Sequence, residues 1–354
     1  MSNGLARHRF GVALSALVAA LALQAAGTAY AQNDPVAEFY KGKTVNILVG
    51  YQAGGGYDLY ARIVAQFLGK HIPGNPTVIV QNMPGAGGLR AARNLTTAAA
   101  KDGTVLGMLA QTLPFDTLLG YTPDVDAGRF TWIGRAAMNV EVGVAFAKSG
   151  ITSIDDARKR EVPTAGTGGT ASSTVVPFLL NQLAGTRFKL ISGYKSANEA
   201  LVTMERGEVD MVGSIGLATI MARHAARLKD GTIRLIYQSA QTRHPDLPKV
   251  PTIGELGNGK DERVILDLFA SGASIGRALV APPDVPKARA VALRRAFAAT
   301  LADPELIAFA KKSNVSLDPG SAEELEGIVR KVLATPKPIA DKAKTILGSL
   351  KTKK

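Results

Sequence analysis

Two short stretches carry the residue types that could hold a small anion. The first is Ala53-Gly54-Gly55-Gly56-Tyr57-Asp58, where three consecutive glycines remove every Cβ at a point where backbone could approach a ligand. The apolar run Thr44–Val49 precedes it, and Leu59, Ile63 and Phe67 follow at helical spacing, so it reads as strand, turn and helix. Such a helix aims its unpaired N–H groups and its positive dipole end over the turn, which attracts an anion. The second stretch runs from Val162 to Thr174. Gly168 allows close approach there, and Thr167, Thr170 and Ser173 supply hydroxyls ahead of a helix expected from about Ser173 to Leu183, capped by Ser or Thr. Two such turns, about a hundred residues apart, could grip one anion from opposite sides. Each could also be a tight connection with no ligand. Asp58 either caps its helix or accepts a hydrogen bond from a ligand hydroxyl or amine.

Other chemistries lack their parts. The chain has no cysteine, which removes disulfides, zinc–thiolate sites and a cysteine nucleophile. His71, His224 and His244 show no metal-ligand spacing. Gly272-Ala273-Ser274-Ile275-Gly276 spells a nucleophile elbow, but no histidine follows His244 to complete Ser, acid and His in chain order. Ser192-Gly193-Tyr194-Lys195 matches Ser-x-x-Lys without its partner motifs. Gly166-Thr167-Gly168-Gly169 is a partial dinucleotide turn with Ala171 in place of the third glycine. No catalytic residue, metal or cofactor is therefore expected. The formal net charge is +13, from 42 Lys+Arg against 29 Asp+Glu. Outside the Lys351-Thr352-Lys353-Lys354 tail these basic residues are scattered and form no run with interleaved aromatics, which argues against nucleic acid.

The elements that would position the two turns alternate apolar runs with amphipathic helices, the rhythm of an α/β protein. Expected strands are Thr44–Val49, Thr77–Gln81, Val105–Leu109, Val142–Phe146, Phe188–Ile191, Val209–Val212 and Ile233–Tyr237, with Arg277-Ala278-Leu279-Val280 also strand-like. Ser153-Ile154-Asp155-Asp156 and Ser321-Ala322-Glu323-Glu324 match the capping box. Trp132 reads as core or as packing at the edge of a lobe. Arg7 and Arg9, the apolar run Gly11 to Leu23 and Ala29-Tyr30-Ala31 describe a secretory signal peptide over 1–31. The mature chain would begin near Gln32 with 40 Lys+Arg against 29 acidic residues, a balance of +11. No later run reaches the ~20 apolar residues a membrane span needs.

The order of motifs resembles the periplasmic substrate-binding proteins of tripartite tricarboxylate transporters, the Bug family. The matching segments are Ala53–Arg62, Gln81–Gly88, Tyr194-Lys195, Gly207–Met211, Leu247–Glu255 and Leu279–Pro286. They cover nearly the whole mature chain in the right order. The resemblance implies a two-lobed α/β, type II periplasmic-binding-protein fold with crossing strands between the lobes. Lobe 1 would be 32–141 plus 270–354, and lobe 2 would be 142–269. It further implies a monomeric, non-enzymatic receptor that takes a small organic carboxylate in the cleft for the membrane components of such a transporter. The ligand would be held by Gly54, Gly55, Gly56 and Asp58 of the first loop, by Thr167, Gly168, Thr170 and Ser173 of the second, and by Tyr194, with Lys195 beside it. Three departures bear on the far end of the ligand: Tyr57 stands where the family has Thr, Thr174 where it has His, and Gly213-Ser214 where an Asp often follows the strand. An exported serine hydrolase and a binding subunit of a signalling receptor are the alternative readings.

Overall fold

The apolar runs become strands because most of their side chains can be buried on both faces of a sheet covered by helices. A computed structural model describes residues 34–352, apart from 122, 169, 170 and 195. The segment expected to be a signal peptide, Thr170 and Lys195 thus lie outside the described residues. Strand β1 (Thr44–Val49) buries Val45, Ile47, Leu48 and Val49, and pairs in parallel with β2 (Thr77–Asn82) on one side and β3 (Val105–Met108) on the other. Beyond β3 the antiparallel β10 (Ala278–Ala281) lies against β4 (Thr131–Arg135), and the short β11 (Gly320–Ser321) closes the edge. The first sheet runs β11-β4-β10-β3-β1-β2.

The second sheet runs β7-β6-β8-β5-β9, formed by β5 (Glu141–Phe146), β6 (Val162–Gly166), β7 (Phe188–Ser192), β8 (Met211–Gly216) and β9 (Ile233–Ser239). Here β6 pairs in parallel with both β7 and β8, while β5 runs antiparallel to β8 and β9. This is the expected two-sheet α/β architecture. Among the described residues no helix is long and apolar enough to cross a membrane.

Four local expectations are corrected. β4 and β6 are strands that the apolar pattern does not announce; β6 contains Pro163, tolerated because its ladder with β8 begins only at Thr164. β8 lies C-terminal to the expected Val209–Val212, since a Cβ at Gly213 would collide with the Ser173 carbonyl where a helix crosses the strand. In the helix Gly56–Leu68, Ile63 and Phe67 are buried but Leu59 is exposed, and Tyr57, Tyr60, Val64 and Leu68 complete the inward face. The last helix, Lys337–Thr352, does not stay with the first sheet. Its Ala343 and Leu347 join the core of the second, with Leu179, Leu183, Ile265 and Phe269. Trp132 is core: it is buried on β4 and donates its Nε1–H to the Ala127 carbonyl at 3.0 Å.

Candidate functional site

Each glycine turn leaves the carboxyl end of the strand from which its sheet is wound in two directions. β1 sits between β2 and β3, and β6 between β7 and β8, so both turns open at topological switch points, where open α/β sheets leave a crevice. The first turn departs beside the Met83–Gly88 loop, because Val49 and Asn82 end β1 and β2 in register. The second departs beside Gly193 and Tyr194, because Gly166 and Ser192 end β6 and β7 in register.

At the first turn, Gly54 adopts a φ of +82°, and Gly54, Gly55 and Gly56 are exposed. The helix begins from Gly55, which has no side chain to cap it. The helices starting at Pro35, Ala197, Pro304 and Ala322 are capped by Asp34, Ser196, Asp303 and Ser321, while those starting at Leu89, Lys260 and Lys287 also lack a side-chain cap. Asp58 is buried and engaged within the chain. It accepts from the Gly54 N–H at 2.9 Å, from Asn82 Nδ2 at 2.9 Å and from Arg62 Nε at 3.0 Å. Burial pushes its carboxyl up, but the bonds from Arg62, Gly54 and Asn82 outweigh this and hold it below the ordinary aspartate range. Asn82 also donates to the Tyr51 carbonyl at 3.0 Å, so this one side chain ties the first turn to the neighbouring loop.

At the second turn the helix Ser172–Leu183 starts from Ala171, without a side-chain cap, so the expected Ser or Thr cap is corrected. Ser173 works from inside the first turn of that helix: its Oγ accepts from the Thr167 N–H at 2.9 Å and lies 2.9 Å from Thr167 Oγ1. Gly168 faces open space, with no atom near the place a Cβ would occupy. Thr174 Oγ1 is buried and has no hydrogen-bond partner among the described residues. Tyr194 is half-buried against the apolar core of the second sheet, and burial raises its hydroxyl pKa, with Glu208 and Glu199 adding to it.

A polar chain that the motifs do not reveal connects the two turns. Tyr57 stacks on Tyr51 with centroids 4.4 Å apart, and its hydroxyl accepts from the Gln111 N–H at 3.0 Å. The Gln111 Oε1 accepts from Asn139 Nδ2 at 2.6 Å, and Asn139 Oδ1 accepts from Arg277 Nη2 at 2.9 Å. The Arg277 guanidinium lies 3.9 Å from the Tyr57 ring centroid. On the other side, Asn139 Nδ2 approaches Glu141 Oε1 at 3.4 Å, and Ser214 Oγ donates to Glu141 Oε2 at 3.0 Å. Ser214 follows Gly213, the residue pressed against Ser173. The sequence signals were Tyr57 and Gly213-Ser214, both departures from the family pattern, and an arginine opening an apolar strand.

The decoys do not assemble. Ser274 sits in the short helix Gly272–Ile275 that leads into strand β10, the reverse of the strand-to-helix turn a nucleophile elbow requires, and its carbonyl accepts from Arg135 Nη1 at 2.6 Å. His71 is bonded to Asp303 at 2.8 Å. Among the described residues no group of three His, Cys, Asp or Glu could hold a metal. Cavities of about 270 and 580 Å³ open away from the turns, one beside Lys148 and Arg206, the other beside Arg294 and Gly320.

The profile of the tripartite tricarboxylate transporter family receptor, TctC, matches residues 60–344. The chain belongs to this family. A relative from Cupriavidus necator, the UPF0065 protein in the gbd 5' region, is 31% identical to this receptor over 255 residues, 70% of this chain and 72% of that protein. Among solved structures, MatC from Rhodopseudomonas palustris with bound malate superposes with a TM-score of 0.61 at 19% identity, covering 86% of this receptor and 99% of that chain. A second R. palustris protein, with adipate, gives 0.62 at 21% identity, covering 85% and 97%. Receptors of the TctC family are periplasmic solute-binding proteins.

Proposed function

We propose that this receptor is exported with cleavage of residues 1–31, takes a small organic carboxylate between its two sheets, and hands it as a monomer to the membrane components of a tripartite tricarboxylate transporter without chemical turnover. The observation that supports it most directly is the pair of uncapped helix N-termini, at Gly55 and Ala171, on glycine turns at the switch points of both sheets. In this reading Gly55, Gly56 and Gly168 offer backbone N–H groups, while the Gly54 and Thr167 N–H groups, already donated to Asp58 and Ser173, hold the two turns in shape. Thr170, Ser173 and Tyr194 contribute hydroxyls. Asp58 positions the first turn rather than touching the ligand, because its oxygens are already occupied. The two R. palustris neighbours carry malate and adipate, both small carboxylates, which supports this reading.

The test is a thermal-shift screen of the mature chain against mono-, di- and tricarboxylic acids, followed by calorimetry. Binding to the native state alone raises stability by about 2.7 kcal/mol at a ligand concentration of 100 Kd. The expected result is a rise in Tm with at least one acid that is recovered unchanged from the incubation. No shift with any acid, or conversion of the acid that shifts Tm, overturns the proposal.

A further inference from the structure

Arg277 and Glu141 are both half-buried, both bonded to Asn139, and neither joins an ion pair among the described residues. Some buried charges elsewhere are matched, as Asp58 by Arg62, Asp303 by Lys70 and His71, and Arg135 by Glu324, while Asp102, Arg234, Asp267 and Arg289 are half-buried without an ion pair among the described residues. What sets Arg277 and Glu141 apart is that they share one bridging side chain, Asn139, between the two turns. A half-buried charge with no opposite partner is costly unless something else compensates it. The two differ in position. Arg277 lies under the first glycine turn, where a Cβ on Gly56 would come 2.9 Å from its Nη2, and its Nη1 is buried without a hydrogen-bond partner. Glu141 opens β5 and takes its hydrogen bond from Ser214, on the side of the second turn. Both charges bear on the hydroxyls of Tyr51 and Tyr57, Arg277 favouring and Glu141 opposing their ionisation, so both fields reach the floor between the turns.

We infer that the cleft selects an amino acid, a carboxylate that also carries an ammonium group, over a dicarboxylate. This rests on the carboxylate-receptor reading above. The ligand carboxylate sits on the N–H groups at Gly55 and Gly56, where the field of Arg277 adds to that of the helix terminus. The ammonium donates to Glu141, whose orientation Ser214 and Asn139 hold. A second carboxylate at that end would meet the fixed negative charge of Glu141, and like charges brought together without water are strongly disfavoured. The Tyr57 and Ser214 departures from the family pattern fall on this chain of contacts: Tyr57 carries the arginine on its ring, and Ser214 steadies the glutamate.

The experiment uses the mature chain and matched probes: succinate against 4-aminobutanoate, adipate against 6-aminohexanoate, and malate against L-alanine and L-serine, by thermal shift and then calorimetry. The expected result is that the amino acid in at least one set binds tenfold or more tightly than its dicarboxylate, the scale of a hydrogen bond to a charged group. Glu141→Gln, which keeps the shape and a hydrogen-bonding carbonyl, should lose that preference and gain affinity for the dicarboxylate. Arg277→Gln should weaken both members of a set alike, and it serves as a check that the Glu141→Gln effect follows charge rather than damage to the network. Dicarboxylates binding the wild type as tightly as the amino acids, or a preference unchanged in Glu141→Gln, overturns this inference and leaves the carboxylate reading standing. If no probe of either kind shifts Tm, and the wider acid screen is also silent, both fall together.

Discussion

At Asp58 the carboxylate is surrounded by the Gly54 amide, Arg62 and Asn82, and its folded pKa lies below that of an unfolded aspartate. A depressed folded pKa adds stability above the unfolded value of about 3.9, and that stability is lost as pH falls through the folded one. Asp58→Asn removes the charge and turns an acceptor into a donor facing other donors, at a cost of about 1–3 kcal/mol at neutral pH. The deficit should shrink as the wild-type carboxyl itself protonates, so urea unfolding at pH 7 and near pH 3 gives the answer. An equal deficit at both pH values would mean that the charge is irrelevant and only the shape matters. Gly168 poses the opposite case, since open space surrounds it and its φ of +158° lies at the border of what a side chain accepts. Gly168→Val should leave far-UV circular dichroism unchanged and weaken ligand binding by at least tenfold, because a branched side chain would occupy the space the backbone leaves for the ligand. Unaltered affinity would reduce the second turn to a simple connection.

Among the elements, the helix Lys337–Thr352 covers the second sheet although its sequence neighbours belong to the first, and Leu347 is its deepest large side chain, 5% exposed. Leu347→Ala should cost about 2–4 kcal/mol, as for a buried leucine that leaves a cavity. Denaturant unfolding measures it, and a loss under 1 kcal/mol would show that this helix is only loosely docked. Such long-range docking was invisible in the sequence, where nothing in residues 337–352 says which sheet they meet. The strands of both sheets were mostly legible, because runs such as Val45–Val49 are apolar at all but one position. β6 was not, because Pro163 and Gly166 argue locally against a strand and only its neighbours β7 and β8 override them. The glycine turns announced themselves by composition. Arg277, Glu141 and Asn139 did not, since each is an unremarkable polar residue until the fold joins three distant segments around Asn139.

For the whole molecule, a ligand touching both turns favours whichever arrangement brings them together, by as much as its affinity differs between the arrangements. Small-angle scattering should therefore show a smaller radius of gyration with saturating ligand, and identical curves with confirmed binding would mean that the cleft is preformed. Trp132 should stay silent in the same titration, because it is 2% exposed inside the first sheet's core and its Nε1–H is already bonded to Ala127. The sheet order has one more consequence, for how the chain reaches this shape. β10 lies between β3 and β4, so the first sheet stays open until residues 278–281 arrive, and the second lacks its outer helix until 337–352 do. Neither half can therefore be finished while the chain is still threading, amino end first, out of a ribosome or through a translocation pore. A polypeptide that cannot close prematurely stays pliable during synthesis, and it commits to its native form only after residues 337–352 have emerged.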